Sequence, residues 1–278
     1  MPKLSYIYKG QICSEESLSL GLNRAFRYGD GLFETLRIIH GKPQNYSEHL
    51  RRLTQGLKQL KIDFTAQQQK EMLRLISELL ITQSMQGGIL RIFVFRRGGG
   101  RYTPEENNAD YLVEVEPLRE NEFQLNTRGL NLNIAQIRLH KFSSTNGLKS
   151  LSALPHVLAS VEKQERRLDD LLFLNEEGFL VEATSSNIFL CFGNEIHTPP
   201  LSDGCLPGIM RQQVLKLANK EGIKTVERSM GLEDLIDAEE CFLTNSIAGI
   251  KWVVAFRDKR YYNRQSKKLI ALINAKVN

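Results

Sequence analysis

Between residues 47 and 80, apolar side chains recur at helical spacing twice in succession. Leu50, Leu53, Leu57 and Leu60 form one stripe, with Ser47 in the N-cap position. Met72, Leu75, Ile76, Leu79 and Leu80 form a second, opened by Thr65 and Gln68 at the spacing of a capping box. Two helices that each bury one stripe need a shared apolar surface, and the flanking segments offer it. Residues 4–8, 32–39, 89–95 and 111–115 read as strands, punctuated by Lys9-Gly10, His40-Gly41-Lys42-Pro43 and Gly87-Gly88. The order strand, strand, helix, helix, strand, strand predicts a small α+β domain over residues 1–116.

Residues 117–127 are polar and read as a connector, which leaves 128–278 as a larger second domain. Strands are expected there at 130–137, 171–174, 179–183, 188–192, 241–244 and 252–256. Helices are expected at 155–168, from Gly208 to about 220, and at 265–275. The turn Asn175-Glu176-Glu177-Gly178 closes a hairpin, and no internal repeat is present. A chain of 278 residues buries about 74% of its unfolded surface on folding, so such a core needs no disulfide.

Hydrophobic residues at 41% and charged residues at 25% exclude a disordered or fibrous chain. The net charge of +5 comes from scattered rather than clustered residues, which argues against a nucleic-acid partner. No uncharged apolar run approaches the roughly 18 residues of a membrane span, and the start Met1-Pro2-Lys3-Leu4 is too polar for a signal peptide. Cys13, Cys191, Cys205 and Cys241 form no C-x-x-C pair, so no metal site is expected and reduced thiols in the cytoplasm are.

Several residues carry chemistry only in combination. Lys149 alone is an ordinary solvated lysine, but small and apolar residues follow it for ten positions. Desolvation would make its amine nucleophilic toward carbonyls, the property of a Schiff-base lysine. Glu182 interrupts the apolar run Phe179-Leu180-Val181, where it either meets solvent or turns inward as a buried acid able to hold a proton on a pyridine nitrogen. Gly208, Ile209 and Met210 head a helix, where free amides suit a phosphate. Arg52 offers a fork donor, and Thr244-Asn245-Ser246 a cluster of hydroxyls and amides.

These residues lie within longer stretches: Arg27-Tyr28-Gly29-Asp30-Gly31-Leu32-Phe33-Glu34-Thr35, Glu48-His49-Leu50-Arg51-Arg52-Leu53, and Lys149-Ser150-Leu151. Further along come Val181-Glu182-Ala183-Thr184-Ser185-Ser186-Asn187-Ile188-Phe189, Pro207-Gly208-Ile209 and Glu240-Cys241-Phe242-Leu243-Thr244. In order and spacing the set resembles the class IV aminotransferase family over nearly the whole chain. The resemblance implies a two-domain enzyme of fold type IV, D-amino-acid aminotransferase-like and mixed α+β and α/β. It also implies pyridoxal 5'-phosphate in the cleft between the domains and a homodimer or higher assembly acting on a small amine or amino acid. Position by position, Lys149 resembles the Schiff-base lysine and Glu182 the partner of the ring nitrogen. Arg52, Ile209, Met210 and Ser246 resemble the phosphate cup, with Gly208 at its helix head and Ser186 and Asn187 in the loop that lines the ring.

The family divides among 4-amino-4-deoxychorismate lyases, branched-chain aminotransferases and D-amino-acid aminotransferases, so the reaction must be read on the substrate side. Arg96-Arg97-Gly98-Gly99-Gly100-Arg101-Tyr102 is similar to a glycine-rich loop of the lyases. Met210 and Asn245 also match the lyase form. Tyr102 follows Arg101 where the D-amino-acid enzymes have an Arg-x-His pair. Phe33 replaces a tyrosine of those enzymes, and Leu154 a tyrosine of the branched-chain ones. Arg91 and Glu34-Thr35, however, match the transaminases. The balance favours the lyase, which releases pyruvate and 4-aminobenzoate through an external aldimine, with either transaminase as the alternative. Arg91, Arg97, Arg101, Phe33 and Asn245 are then the candidate substrate contacts. Alternation along a strand sets Arg96 on the opposite face from Arg97, in a solvated position. A non-catalytic binding module would have lost Lys149 or Glu182, and both are present.

Overall fold

The structure is a computed structural model that describes residues 5–8, 10–13, 23–141 and 145–277. Leu4 and Lys9, expected in the first strand and its turn, lie outside the described residues, as does the side chain of Cys13. The chain divides into two compact units. One runs to Glu122 and takes in Leu148–Ser152; the other takes Phe123–Gly147 and continues from Ala153.

This division differs from the expected 1–116, 117–127 and 128–278 in two ways. The connector is shared out. Leu118 donates its N–H to the Gly87 carbonyl at 3.0 Å, and Arg37 donates to the Glu120 carbonyl at 2.5 Å, which ties 118–120 to the first unit. Asn274 both accepts from the Phe123 N–H at 2.9 Å and donates to its carbonyl at 2.8 Å, which ties 123 to the second. Lys149, placed by sequence position in the second domain, belongs instead to the first unit. Its carbonyl accepts from the Phe33 N–H at 2.9 Å, and Leu151 donates to the Gly31 carbonyl at 3.1 Å, so the segment extends the first unit's sheet.

The first unit comprises β1 (Ser5–Tyr8), β2 (Gln11–Cys13), α1 (Arg24–Tyr28), β3 (Gly31–Ile39), β4 (Lys42–Pro43), α2 (Tyr46–Gln59), α3 (Ala66–Thr82), β5 (Gly88–Arg96) and β6 (Ala109–Pro117). Its strands form an antiparallel sheet in the order β2-β1-β6-β5-β3-β4. The alternate residues Leu32, Leu36 and Ile38 of β3 and Leu90, Ile92 and Val94 of β5 share one core with Leu53 and Leu57 of α2 and Met72, Ile76 and Leu79 of α3. The capping box of Thr65 and Gln68 forms as its spacing predicts. Helix α2 starts earlier than Ser47 because Asn45 takes the N-cap in the left-handed region at φ 52°, which Asn tolerates; Ser47 Oγ donates to Glu48 instead.

The second unit comprises β7 (Leu130–Ile134), α4 (Leu154–Glu165), β8 (Asp170–Leu174), β9 (Leu180–Ala183), β10 (Asn187–Phe192), β11 (Glu195–Thr198), α5 (Ile209–Lys220), β12 (Lys224–Glu227), α6 (Leu232–Asp237), β13 (Glu240–Asn245), β14 (Gly249–Phe256), β15 (Lys259–Arg260) and α7 (Arg264–Val277). The sheet runs β12-β11-β10-β13-β14-β7-β8-β9, with β15 on β14. Strand β8 is buried along its whole length, with Leu172 and Leu174 in one core and Leu171 and Phe173 in another. Burial on both faces explains why it reads as a continuous apolar run. Helix α4 behaves otherwise: only Ala159 is buried, while Leu154, Val157, Leu158 and Val161 form an exposed stripe. The apolar run after Lys149, expected to desolvate it, thus turns its larger side chains outward. Among the described residues no helix is long and apolar enough to cross a membrane.

Candidate active site

In the first unit the residues gather about β3. Phe33 and Glu34 are neighbours, so they point to opposite faces. The ammonium of Lys149 lies over the Phe33 ring, 4.2 Å from its centroid, and Phe33 stacks on Phe93 at 6.1 Å. On the other face Glu34 is 1% exposed and accepts from Arg52 through both oxygens, at 2.8 and 2.6 Å. His49 Nδ1 is 2.6 Å from the same carboxylate. Burial alone would raise the Glu34 pKa, but the hydrogen bonds and charges of His49 and Arg52 outweigh it and hold the carboxyl below its usual range. Arg52 therefore presents a guanidinium whose plane is set by a buried partner. The sequence offered Glu34 and His49 only within family motifs and gave neither a role. Their signal was present: His49 and Arg52 stand three residues apart on an amphipathic helix and so share a face.

The arginines of the same unit divide into three kinds. Arg91 donates to Glu116 at 3.0 Å and lies 3.9 Å from Glu114, both on the neighbouring β6. Burial raises the Glu114 pKa, with Arg91 opposing it. Arg97 is exposed and 3.5 Å from Glu106, and Arg101 is exposed. Arg96 corrects the expectation of a solvated side chain. It is buried, and its guanidinium bonds Asp30, the Leu60 and Lys61 carbonyls and Asn107. The alternation was sound, but the inward face belonged to Arg96. Arg24, at the start of α1, joins Asp30 and donates to the carbonyls of Gly99 and Arg101 at 3.0 and 2.7 Å, which fixes the glycine-rich loop.

In the second unit Glu182 turns inward, with 12% of its side chain exposed. One oxygen accepts from the Leu206 N–H at 2.9 Å, and the other lies 3.2 Å from His156 Nε2. Register pairs Asn187 with Thr244, which sets Ser186 beside Asn245. Asn245 Nδ2 donates to Ser186 Oγ at 3.0 Å. Asn245 Oδ1 accepts from the Ile247 and Ala248 amides, so this side chain shapes the turn that carries Ser246. Asn187 donates to the Leu206 carbonyl at 2.9 Å and so ties β10 to the segment entering α5.

Helix α5 begins at Gly208 with no side-chain cap, leaving the first-turn amides of buried Ile209 and Met210 to be satisfied from outside the helix. A Cβ on Gly208 would fall on the Asn187 amide oxygen, so only glycine allows this approach. A carboxylate with spare lone pairs and an uncapped helix head in one cluster fit the nitrogen and the phosphate of pyridoxal phosphate.

The family model for amino-transferase class IV matches residues 31–256. A protein of Methanocaldococcus jannaschii, named provisionally as a branched-chain-amino-acid aminotransferase, is 30% identical over 243 residues, covering 86% of this chain and 82% of its own. The aminodeoxychorismate lyase of Bacillus subtilis is 28% identical over 254 residues, covering 90% and 85%. Among solved structures, the 4-amino-4-deoxychorismate lyase of Pseudomonas aeruginosa superposes with a TM-score of 0.82 at 28% identity, covering 97% of this chain and 98% of that one. With the family model and these likenesses in agreement, the chain belongs to the class IV aminotransferases, pyridoxal-phosphate-dependent enzymes of fold type IV.

Proposed function

We propose that this enzyme is a 4-amino-4-deoxychorismate lyase, releasing pyruvate and 4-aminobenzoate. The observation that carries this reading is the commitment of Arg91. A transaminase of the branched-chain type would need that guanidinium for a substrate carboxylate, and here Glu116 and Glu114 already neutralise it. Phe33 also lacks the hydroxyl of the D-amino-acid enzymes. Arg101, on a loop fastened by Arg24, and Arg97, largely exposed and only 3.5 Å from Glu106 where Arg91 is held at 3.0 Å, are the cations this reading assigns to the two carboxylates of a chorismate-derived amine. A second reading, a branched-chain transaminase, is favoured by the 30% identity to the archaeal relative and by Glu34-Thr35.

When bound, pyridoxal phosphate supplies an electron sink for the pair released from a broken C–H bond. In this proposal Lys149 holds the cofactor, and its released amine takes the proton from the carbon beside the substrate nitrogen. Glu182 keeps a proton on the ring nitrogen. The Ile209 and Met210 amides, the Ser246 hydroxyl and Arg52 hold the phosphate. Homodimerisation is supported by the exposed stripe of α4, which would be covered by a second copy. A cytoplasmic setting is supported by the free thiols of Cys191, Cys205 and Cys241.

The test is purified enzyme given aminodeoxychorismate, with pyruvate measured, against L-leucine or D-alanine plus 2-oxoglutarate. Pyruvate release, lost in Lys149→Ala together with the visible absorbance of the bound cofactor, is expected. Turnover of L-leucine or D-alanine without pyruvate release from aminodeoxychorismate would replace this reading by a transaminase.

A further inference from the structure

The Glu182 carboxylate is held from two sides, and one of them is a side chain the reaction does not otherwise use. Leu206 contributes a backbone N–H, which any residue would supply. His156 contributes Nε2 at 3.2 Å. An ionised carboxylate can only accept, so this contact requires a hydrogen on Nε2. The imidazole comes from the first turn of α4, and its orientation is set by Phe173 of β8, against which it packs edge-on with centroids 5.1 Å apart. Phe173 is fully buried, so the wall behind the imidazole is packed into the core. The buried thiol of Cys205 also interacts with the carboxylate, and burial pushes its pKa up to about 12, leaving it neutral. His156 is thus the side chain that fixes the direction of Glu182, since each oxygen accepts one bond and retains a lone pair for a further donor.

We propose that His156 is a positioning residue acting through Glu182: it holds the carboxylate in the orientation that keeps a proton on the cofactor's ring nitrogen. This rests on the reading of Glu182 as the ring nitrogen's partner. Without His156 the carboxylate keeps only the Leu206 bond and is free to rotate about it. The protonated ring is then less favoured, and removal of the substrate proton slows.

The experiment uses the holoenzyme reconstituted with pyridoxal phosphate carrying 15N in its ring, whose NMR shift reports protonation of that nitrogen. His156→Leu is expected to move the 15N resonance toward the unprotonated position and to lower kcat about 10- to 100-fold, the scale for losing a hydrogen bond to a charged group. His156→Gln, which places an N–H donor at a similar reach, is expected to restore both. Should the leucine variant fold poorly, His156→Phe keeps the packing on Phe173 without the donor and takes its place. A wild-type resonance and kcat in the variants without a donor would overturn the proposal. Equal impairment in His156→Gln would overturn it as well, since the donor would then not be what matters. Glu182→Gln separates the two levels. If it leaves the resonance unmoved, the reading of Glu182 falls and the proposal with it; if it moves the resonance while His156→Leu does not, only the proposal falls.

Discussion

Replacing Glu34 by alanine should open the first unit without disturbing the second. The carboxylate is 1% exposed and holds two cations, His49 at 2.6 Å and Arg52 through two hydrogen bonds. Removing one partner of a buried ion pair costs about 3–5 kcal/mol, because the remaining charge is left desolvated. Arg52 keeps 12% of its side chain exposed and can recover some hydration, which points to the lower end, about 3 kcal/mol. The single tryptophan, Trp252, lies in the second unit, so fluorescence does not follow this change. Hydrogen exchange of peptides from β3 and α2 does, and about 3 kcal/mol corresponds to roughly 150-fold faster exchange. Acid adds a second readout. The folded pKa of Glu34 lies below the ordinary carboxylate value, so its contribution is present above the unfolded value of 4.5 and is lost as pH falls through the folded one. Glu34→Gln should therefore flatten the acid limb of the stability profile. Glu34→Ala combined with Arg52→Met should be less destabilised than Glu34→Ala alone, since the guanidinium that lost its carboxylate is removed with it. Exchange within threefold of wild type in Glu34→Ala, with an unchanged acid limb, would refute the reasoning.

Three further outcomes follow from the same geometry. Arg96→Ala should destabilise the first unit by about 3 kcal/mol or more in denaturant unfolding, because it removes the donor to the Leu60 and Lys61 carbonyls and to Asn107 and leaves Asp30 with Arg24 alone; a loss under about 1 kcal/mol would contradict its burial. Gly208→Ala should weaken cofactor binding in equilibrium dialysis by about tenfold or more, since the new methyl group displaces Asn187 from the head of α5; an unchanged Kd would show that this approach is not needed. Burial raises the thiol pKa of Cys191, Cys205 and Cys241, so alkylation at pH 8 followed by peptide mapping should label none of the three until the protein unfolds, and fast labelling of any would contradict its placement.

What was legible in the sequence was whatever depends on local periodicity or on residues close together in the chain. The stripes of α2 and α3, the Thr65 and Gln68 box and the glycine at the head of α5 are of this kind. Short elements with little pattern, such as α1, β11, β12, α6 and β15, left no such signature. The family motifs carried the cofactor, because each lies within a few consecutive residues. The orientation of a side chain is a different matter. Alternation separates Arg96 from Arg97 but does not say which face is inside, and only the carbonyls of Leu60 and Lys61 decide that Arg96 is the buried one. The apolar residues of α4 announce a hydrophobic face, yet β8 takes Ala159 and leaves Leu154, Val157, Leu158 and Val161 exposed. Lys149 joins the first unit through backbone hydrogen bonds to Gly31 and Phe33, more than a hundred residues earlier, and pairing between backbones at that separation leaves no trace in composition. His156 meets Glu182 for the same reason: α4 and β9 are brought together by packing on β8, and neither segment encodes the other. Local sequence determines which groups are available, and the burial of their neighbours decides which of them meet.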